Sequence, residues 1–171
     1  MPTHPHSGST YVLGLGANLG DRFASLRQAC LLLDASEDLR VVAESPVYET
    51  DPVGPPQPRY LNAAIRVETT RSPESLLDLA LATEARMGRD RRESVRWGPR
   101  IIDIDLLYAF HKTLSSPRLQ LPHAHLLERS FALAPLLDVA PELRECFGDT
   151  LAQLGGTPKT HAPTLRGARE D

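Results

Sequence analysis

Two aspartates, Asp103 and Asp105, stand two residues apart at the end of the string Arg96-Trp-Gly-Pro-Arg-Ile-Ile-Asp-Ile-Asp105. If that segment is a strand, side-chain alternation puts both carboxylates on one face, about 7 Å apart along the backbone, and sends Ile102, Ile104 and Leu106 to the other. Two like charges on one face need a cation. A hard ion such as Mg2+ takes carboxylate oxygens and keeps its remaining positions for water and phosphate. The plainer reading of a bare Asp-x-Asp is an exposed strand with two solvated acids, and the neighbouring residues weigh against it. Six of the seventeen arginines fall between Arg86 and Arg100. Nearly every basic residue in this chain is arginine, so the choice of Arg over Lys says nothing by itself; only the clustering informs. Arginines beside a two-carboxylate metal site suit polyphosphate transfer, where metal and guanidinium together neutralise charge as the bond to the leaving group breaks. A solvated loop held by Asp90 and Glu93 is the alternative.

Two other patterns carry less. Gly14-x-Gly16-x-x-x-Gly20 has its last gap one residue too long for a dinucleotide fingerprint and is not followed by a parallel βαβ unit. A tight strand-to-helix turn, with Asn18 and Asp21 bonding locally, accounts for it better. His123-x-His125 lacks a third and fourth zinc ligand at matching spacing. A phosphate hydrogen bond from His123, with Arg129 nearby, fits the arginine-rich site, and a loop histidine satisfied by backbone remains open. Cys30 and Cys146 have neither metal-ligand spacing nor disulfide density and read as structural thiols.

These residues need elements to hold them. Residues 11–15 form a short apolar run ending in glycines, after which Phe23, Leu26, Cys30 and Leu33 recur at helical spacing behind an Asp21 cap. Residues 41–48 and 61–67 read as strands, and the four prolines between Thr50 and Pro58 make the connection a long, stiff loop. Ser72, Pro73 and Glu74 start a helix whose face carries Leu76, Ala80, Thr83 and Met87 and which stops at Gly88. Residues 89–100 are charged and aperiodic, with few apolar anchors, and are expected to be mobile until they close over bound substrates. Residues 101–108 resume as a strand, and a last helix is expected over 128–139. The order βαββαβ with additions predicts an α+β fold, a ferredoxin-like antiparallel sheet with helices packed on one face. Residues 10–150 are expected to form a single domain, with loosely ordered tails over 1–9 and 151–171.

With 171 residues, 41% hydrophobic and 24% charged, the chain suits one globular domain. A net charge of -3 gives no general attraction to nucleic acid or to an anionic membrane. No run of about 18 apolar residues exists and the first ten residues are polar, so a cytoplasmic protein is expected, and a monomer.

Six ordered strings together resemble the hydroxymethyldihydropterin pyrophosphokinases over nearly all of residues 11–143. They are Gly14-Leu-Gly-Ala-Asn-Leu-Gly-Asp21, Tyr48-Glu-Thr-Asp-Pro-Val-Gly54, Tyr60-Leu-Asn-Ala-Ala64, Gly88-Arg89, the Arg96–Asp105 string and Leu121-Pro-His123. The resemblance implies an ATP- and Mg2+-dependent transfer of pyrophosphate to the hydroxymethyl group of 6-hydroxymethyl-7,8-dihydropterin, releasing AMP, in folate biosynthesis. It implies that Asp103 and Asp105 hold two magnesium ions, and that Arg89 and Arg100 act with them on the transferring group. Glu84, Arg91, Trp97, Arg118, His123 and Arg129 would join those arginines in binding ATP. Thr50, Val53, Tyr60, Asn62 and Phe131 would form the pterin pocket. The chemistry agrees, since Tyr60 and Phe131 can sandwich a flat ring while the Asn62 amide reads its donor and acceptor edge. Ala124 and His125 depart from the family's usual residues. No side chain stands out as general base; a metal-bound water and Asp103 are both open. A nucleotide-binding module that has lost turnover is the rival reading.

Overall fold

The computed structural model describes residues 8–90, 92 and 98–167. Ser9–Ala17 (β1) is an interior strand: it pairs antiparallel with Tyr60–Thr69 (β4) on one side and with Asp103–Ala109 (β5) on the other. Leu39–Glu44 (β2) and Val47–Thr50 (β3) both pair with β4, at its two ends. Between them Ser45 turns the chain, its hydroxyl accepting from the Ala64 amide at 2.8 Å and its own amide donating back to the Ala64 carbonyl. Arg22–Asp34 (α1) and Pro73–Arg86 (α2) complete a βαββαβ core whose strand order, β5-β1-β4 and then β2 or β3, is ferredoxin-like.

The local signals hold. Asp21 caps α1 by accepting from the Ala24 amide at 3.1 Å, and Ser72 caps α2 by accepting from Ser75 at 3.2 Å. Gly88 takes the positive φ of 94° that ends α2. One face of the sheet, with Leu13, Leu15, Ile65 and Leu106, packs on Leu26 and Leu33 of α1 and Leu76 of α2.

Helices cover both faces, not one. Val12, Ala64 and Leu107 point away from the first core and pack on Ser130–Val139 (α3) and Arg144–Gln153 (α4). The cause lies in the strands: β1, β4 and β5 are apolar on both sides, so a single helical layer would leave Val12 and Leu107 in water. A short hairpin, Leu114–Ser115 (β6) with Gln120–Leu121 (β7), precedes α3.

The C-terminal segment expected to be loose is instead part of the sheet. Lys159–Ala162 (β8) pairs antiparallel with β3, Leu165 is fully buried, and Arg166 bridges Asp34 and Glu44 at 2.8 Å each. Backbone pairing along an open edge needs no apolar composition, which is why this polar stretch reads as a tail. At the other end β1 already begins at Ser9. Among the described residues no helix is long and apolar enough to cross a membrane.

Candidate active site

Strand register sets out the floor of the site. Gly16 lies between Asp103 of β5 and Asn62 of β4, and Gly14 between Asp105 and Ala64. Period-two alternation turns Asp103, Asp105 and Leu107 to the α3 face while Ile104 and Leu106 enter the opposite core, as expected from sequence. The two glycines are strand residues rather than turn residues. A Cβ on Gly16 would sit 3.1 Å from Asn62 Oδ1, and one on Gly14 would sit 3.0 Å from the Leu107 side chain. Both line one space, and a side chain at either would crowd a residue that borders it.

That space is a cavity of about 280 Å3. Thr50, Val53, Tyr60, Asn62, Arg100, Asp103, Asp105, His123, Arg129 and Phe131 all line it, so ten of the sequence-predicted site residues meet in one place. Asn62 is held by donating from Nδ2 to Thr50 Oγ1 at 2.5 Å, which leaves its carbonyl oxygen at the floor beside Gly16. The Tyr60 hydroxyl donates to the Gly98 carbonyl at 3.3 Å, and burial, with the charge of Asp103, raises its pKa. His123 is fixed from both sides. Its amide donates to the Leu107 carbonyl at 2.8 Å, and its Nδ1 accepts from the His125 amide at 3.1 Å. Burial and the Arg129 charge lower its pKa and favour the neutral ring. His125 turns to Glu128 at 2.9 Å and does not line the cavity.

Behind the cavity lies a buried charge cluster. Arg89 Nη1 bonds Glu84 Oε2, Asp103 Oδ1 at 2.8 Å and the Ile102 carbonyl at 3.3 Å. Burial opposes the Arg89 charge, but Asp103 and Glu84 outweigh it and raise its pKa. Its Nε is buried without a hydrogen-bond partner among the described residues. Glu84 is 1% exposed and also accepts from the Ile104 amide at 3.1 Å, so it ties α2 to β5 and positions Arg89 from beneath. Neither Glu84 nor Arg89 lines the cavity. Arg118 does not reach it either, pairing with Asp78 at 2.7 Å on the exposed turn between β6 and β7. Arg91 and Trp97 lie outside the described residues, as do residues 93–96 of the segment expected to close over substrates.

Burial, and then the charges of Asp103 and Glu84, hold Asp105 well above the usual carboxylate range, against the opposing pull of Arg129 and Arg89. That strain is what a divalent cation relieves. Among the described residues no group of three or more His, Cys, Asp or Glu is placed to hold a metal ion by itself. A pair of carboxylates on one strand face suits a hard ion that takes one or two protein oxygens and leaves the rest to water and phosphate.

Asn18, expected to bond locally, does more. It is 2% exposed and joins three segments: Nδ2 donates to Gln57 Oε1 at 2.9 Å and to the Pro58 carbonyl at 2.8 Å, while Oδ1 accepts from the Arg100 amide at 2.8 Å. The Arg100 carbonyl accepts in turn from the Asn18 amide at 3.0 Å. Nothing local in the sequence signals these partners, 39 to 82 residues away.

Residues 12–141 match the family model described as 7,8-dihydro-6-hydroxymethylpterin-pyrophosphokinase. The chain belongs to that family. It is 46% identical over 146 residues to the 2-amino-4-hydroxy-6-hydroxymethyldihydropteridine pyrophosphokinase of Methylorubrum extorquens, covering 83% of this chain and 91% of that one. The pyrophosphokinase of the same name from Pseudomonas aeruginosa is 40% identical over 143 residues, covering 83% and 87%. Among solved structures, the wild-type HPPK-DHPS of Plasmodium falciparum superposes with a TM-score of 0.64 at 15% identity, over 89% of this chain. The chain spans about half the length of that structure, 46%, and the likeness there is one of fold. The pyrophosphokinase family match spans β4, β5 and α3 in full and β1 from Val12 onward.

Proposed function

We propose that the chain transfers pyrophosphate from ATP to the hydroxymethyl group of 6-hydroxymethyl-7,8-dihydropterin, with the cavity over Gly14 and Gly16 as its active site. The observation that carries this reading is the meeting, in one cavity, of an acidic pair, two arginines, an amide and two aromatic rings. In the reaction the pterin hydroxymethyl oxygen bonds the β-phosphorus of ATP as the bond from that phosphorus to the α,β-bridging oxygen breaks. AMP departs, and the hydroxyl proton is lost.

Asp103 and Asp105 would hold Mg2+, whose chemistry there is to neutralise and orient the triphosphate. Asn62 Oδ1, kept by Thr50 on the other amide atom, accepts from the donor edge of the pterin, while Tyr60 and Phe131 flank the ring. Arg100 and Arg129 bring positive charge to the phosphates, and neutral His123 donates a hydrogen bond without adding charge. Arg89 waits beside Asp103, able to exchange that carboxylate for phosphate oxygens. The chain supplies position and charge, which is most of what phosphoryl chemistry asks of a protein.

Asp103→Ala and Asp105→Ala test the assignment. Each is expected to lower turnover by a factor on the order of a thousand or more, because each removes a ligand from an otherwise hydrated ion. Circular dichroism should be unchanged. Either variant turning over at near wild-type rate would refute the metal assignment.

A further inference from the structure

The loop that walls the pterin side of the cavity runs between β3 and β4, and charge ties its two ends together. Arg59 Nε donates to Asp51 Oδ1 at 3.0 Å, and Nη1 of the same guanidinium reaches Glu49 Oε1 at 3.4 Å. The other Glu49 oxygen takes Arg22 Nη2 at 3.1 Å, and Arg22 Nη1 donates to the Arg59 carbonyl at 3.0 Å. Four alternating charges, from the start of α1, the end of β3, the loop mouth and the residue before β4, therefore close a chain across the neck of the loop. Asp51 itself lines the cavity, as does Val53 farther along.

Between those ends the segment has four prolines and no strand or helix of its own. Locked φ angles make it move as a stiff piece hinged at its ends rather than as a chain of independent residues. Whatever fixes the ends therefore fixes where Val53 and the loop backbone stand over the ring site. The side chains of Asp51 and Arg59 are 80% and 58% exposed, so the pair adds little to folding stability. Buried Asn18 holds the far end of the loop through Gln57 and the Pro58 carbonyl, so the exposed pair has one task left, to tie the near end at Asp51 to that fixed end.

We propose that the Asp51–Arg59 ion pair, backed by Glu49 and Arg22, is a latch that positions the proline-rich loop and so sets affinity for the flat, uncharged pterin alcohol. This rests on the reading of the cavity given above. Because the pterin carries no net charge, its own contacts give little salt dependence, whereas an exposed latch is screened by added salt. Salt sensitivity of pterin binding thus reports on the latch.

The test is calorimetric titration of the full chain with 6-hydroxymethyl-7,8-dihydropterin, in the presence of a non-hydrolysable ATP analogue and Mg2+. Asp51→Asn and Arg59→Gln should each weaken pterin binding about two- to fivefold, the range an exposed ion pair supports, and leave affinity for the ATP analogue unchanged. Arg59→Lys, which keeps a cation between Asp51 and Glu49, should recover at least half of the loss seen in Arg59→Gln. Raising NaCl should weaken pterin binding to the wild type and not to Asp51→Asn. Asp51→Asn and Arg59→Gln variants that bind pterin like the wild type or that lose both ligands equally, or an Arg59→Lys variant as weak as Arg59→Gln, would overturn the latch. A wild-type chain that binds the ATP analogue but no pterin would overturn the reading of the cavity itself.

Discussion

Asp105 faces Asp103 across one strand position and feels the charge of Glu84, and burial together with those two carboxylates raises its pKa well above the ordinary range. A carboxyl whose folded pKa is raised adds stability in its protonated form. That contribution is complete below about pH 4, the ordinary aspartate value, and is lost as pH rises through the raised one. In thermal unfolding without Mg2+, the wild type should lose stability relative to Asp105→Asn as pH rises above about 4, and Mg2+ should narrow the gap by favouring the ionised form. Parallel pH profiles for the two proteins, with no response to Mg2+, would contradict this account of Asp105. The facing of Asp103 and Asp105 was legible in the sequence because it depends only on strand alternation. The engagement of Arg89 with Glu84 and Asp103 was not, since a buried ion pair depends on how α2 packs on β5. Nor was the reach of Asn18, whose partners are fixed by tertiary structure alone.

At the level of elements, caps and periodicity carried the sequence reading a long way. Asp21, Ser72 and Gly88 stand where local chemistry puts them, and the strands expected over 11–15, 61–67 and 101–108 differ mainly in length, but the one expected over 41–48 is two strands, β2 and β3, parted at Ser45 and paired with opposite ends of β4. Two elements were hidden for physical reasons. The second helical layer follows from strands that are apolar on both faces, which a search for one amphipathic face does not detect. The strand β8 is polar, and what fastens it is backbone pairing to β3, the buried Leu165 and the Arg166 guanidinium shared by Glu44 and Asp34. Arg166 is only 13% exposed on its side chain and Glu44 is 11% exposed. Arg166→Ala should therefore destabilise the fold by about 1–3 kcal/mol, below the 3–5 typical of a fully buried pair because Asp34 retains access to water. The midpoint of urea unfolding measures this, and a change of less than about 0.5 kcal/mol, the range of ordinary surface substitutions, would show that the strand holds without the arginine.

Across the whole molecule, the antiparallel sheet does two jobs with its two faces. The α1 and α2 side is a closed apolar core, while at one end of the α3 side two glycines leave a gap bordered by carboxylates, arginines, an amide and two rings. Membership of the pyrophosphokinase family rests on the match over residues 12–141 and on relatives at 40% and 46% identity. The geometry supports the proposal that ATP and a pterin meet in that gap. What separates pyrophosphate transfer from ordinary phosphate transfer, or from nucleotide binding without turnover, is which phosphorus is attacked. The most direct measurement is product analysis, by phosphorus NMR or chromatography, of the wild-type chain incubated with ATP, Mg2+ and 6-hydroxymethyl-7,8-dihydropterin. The account predicts AMP and the pterin pyrophosphate in equal amounts, with no ADP and no AMP when the pterin is omitted. ADP with a pterin monophosphate, or ATP recovered intact beside bound pterin, would contradict it.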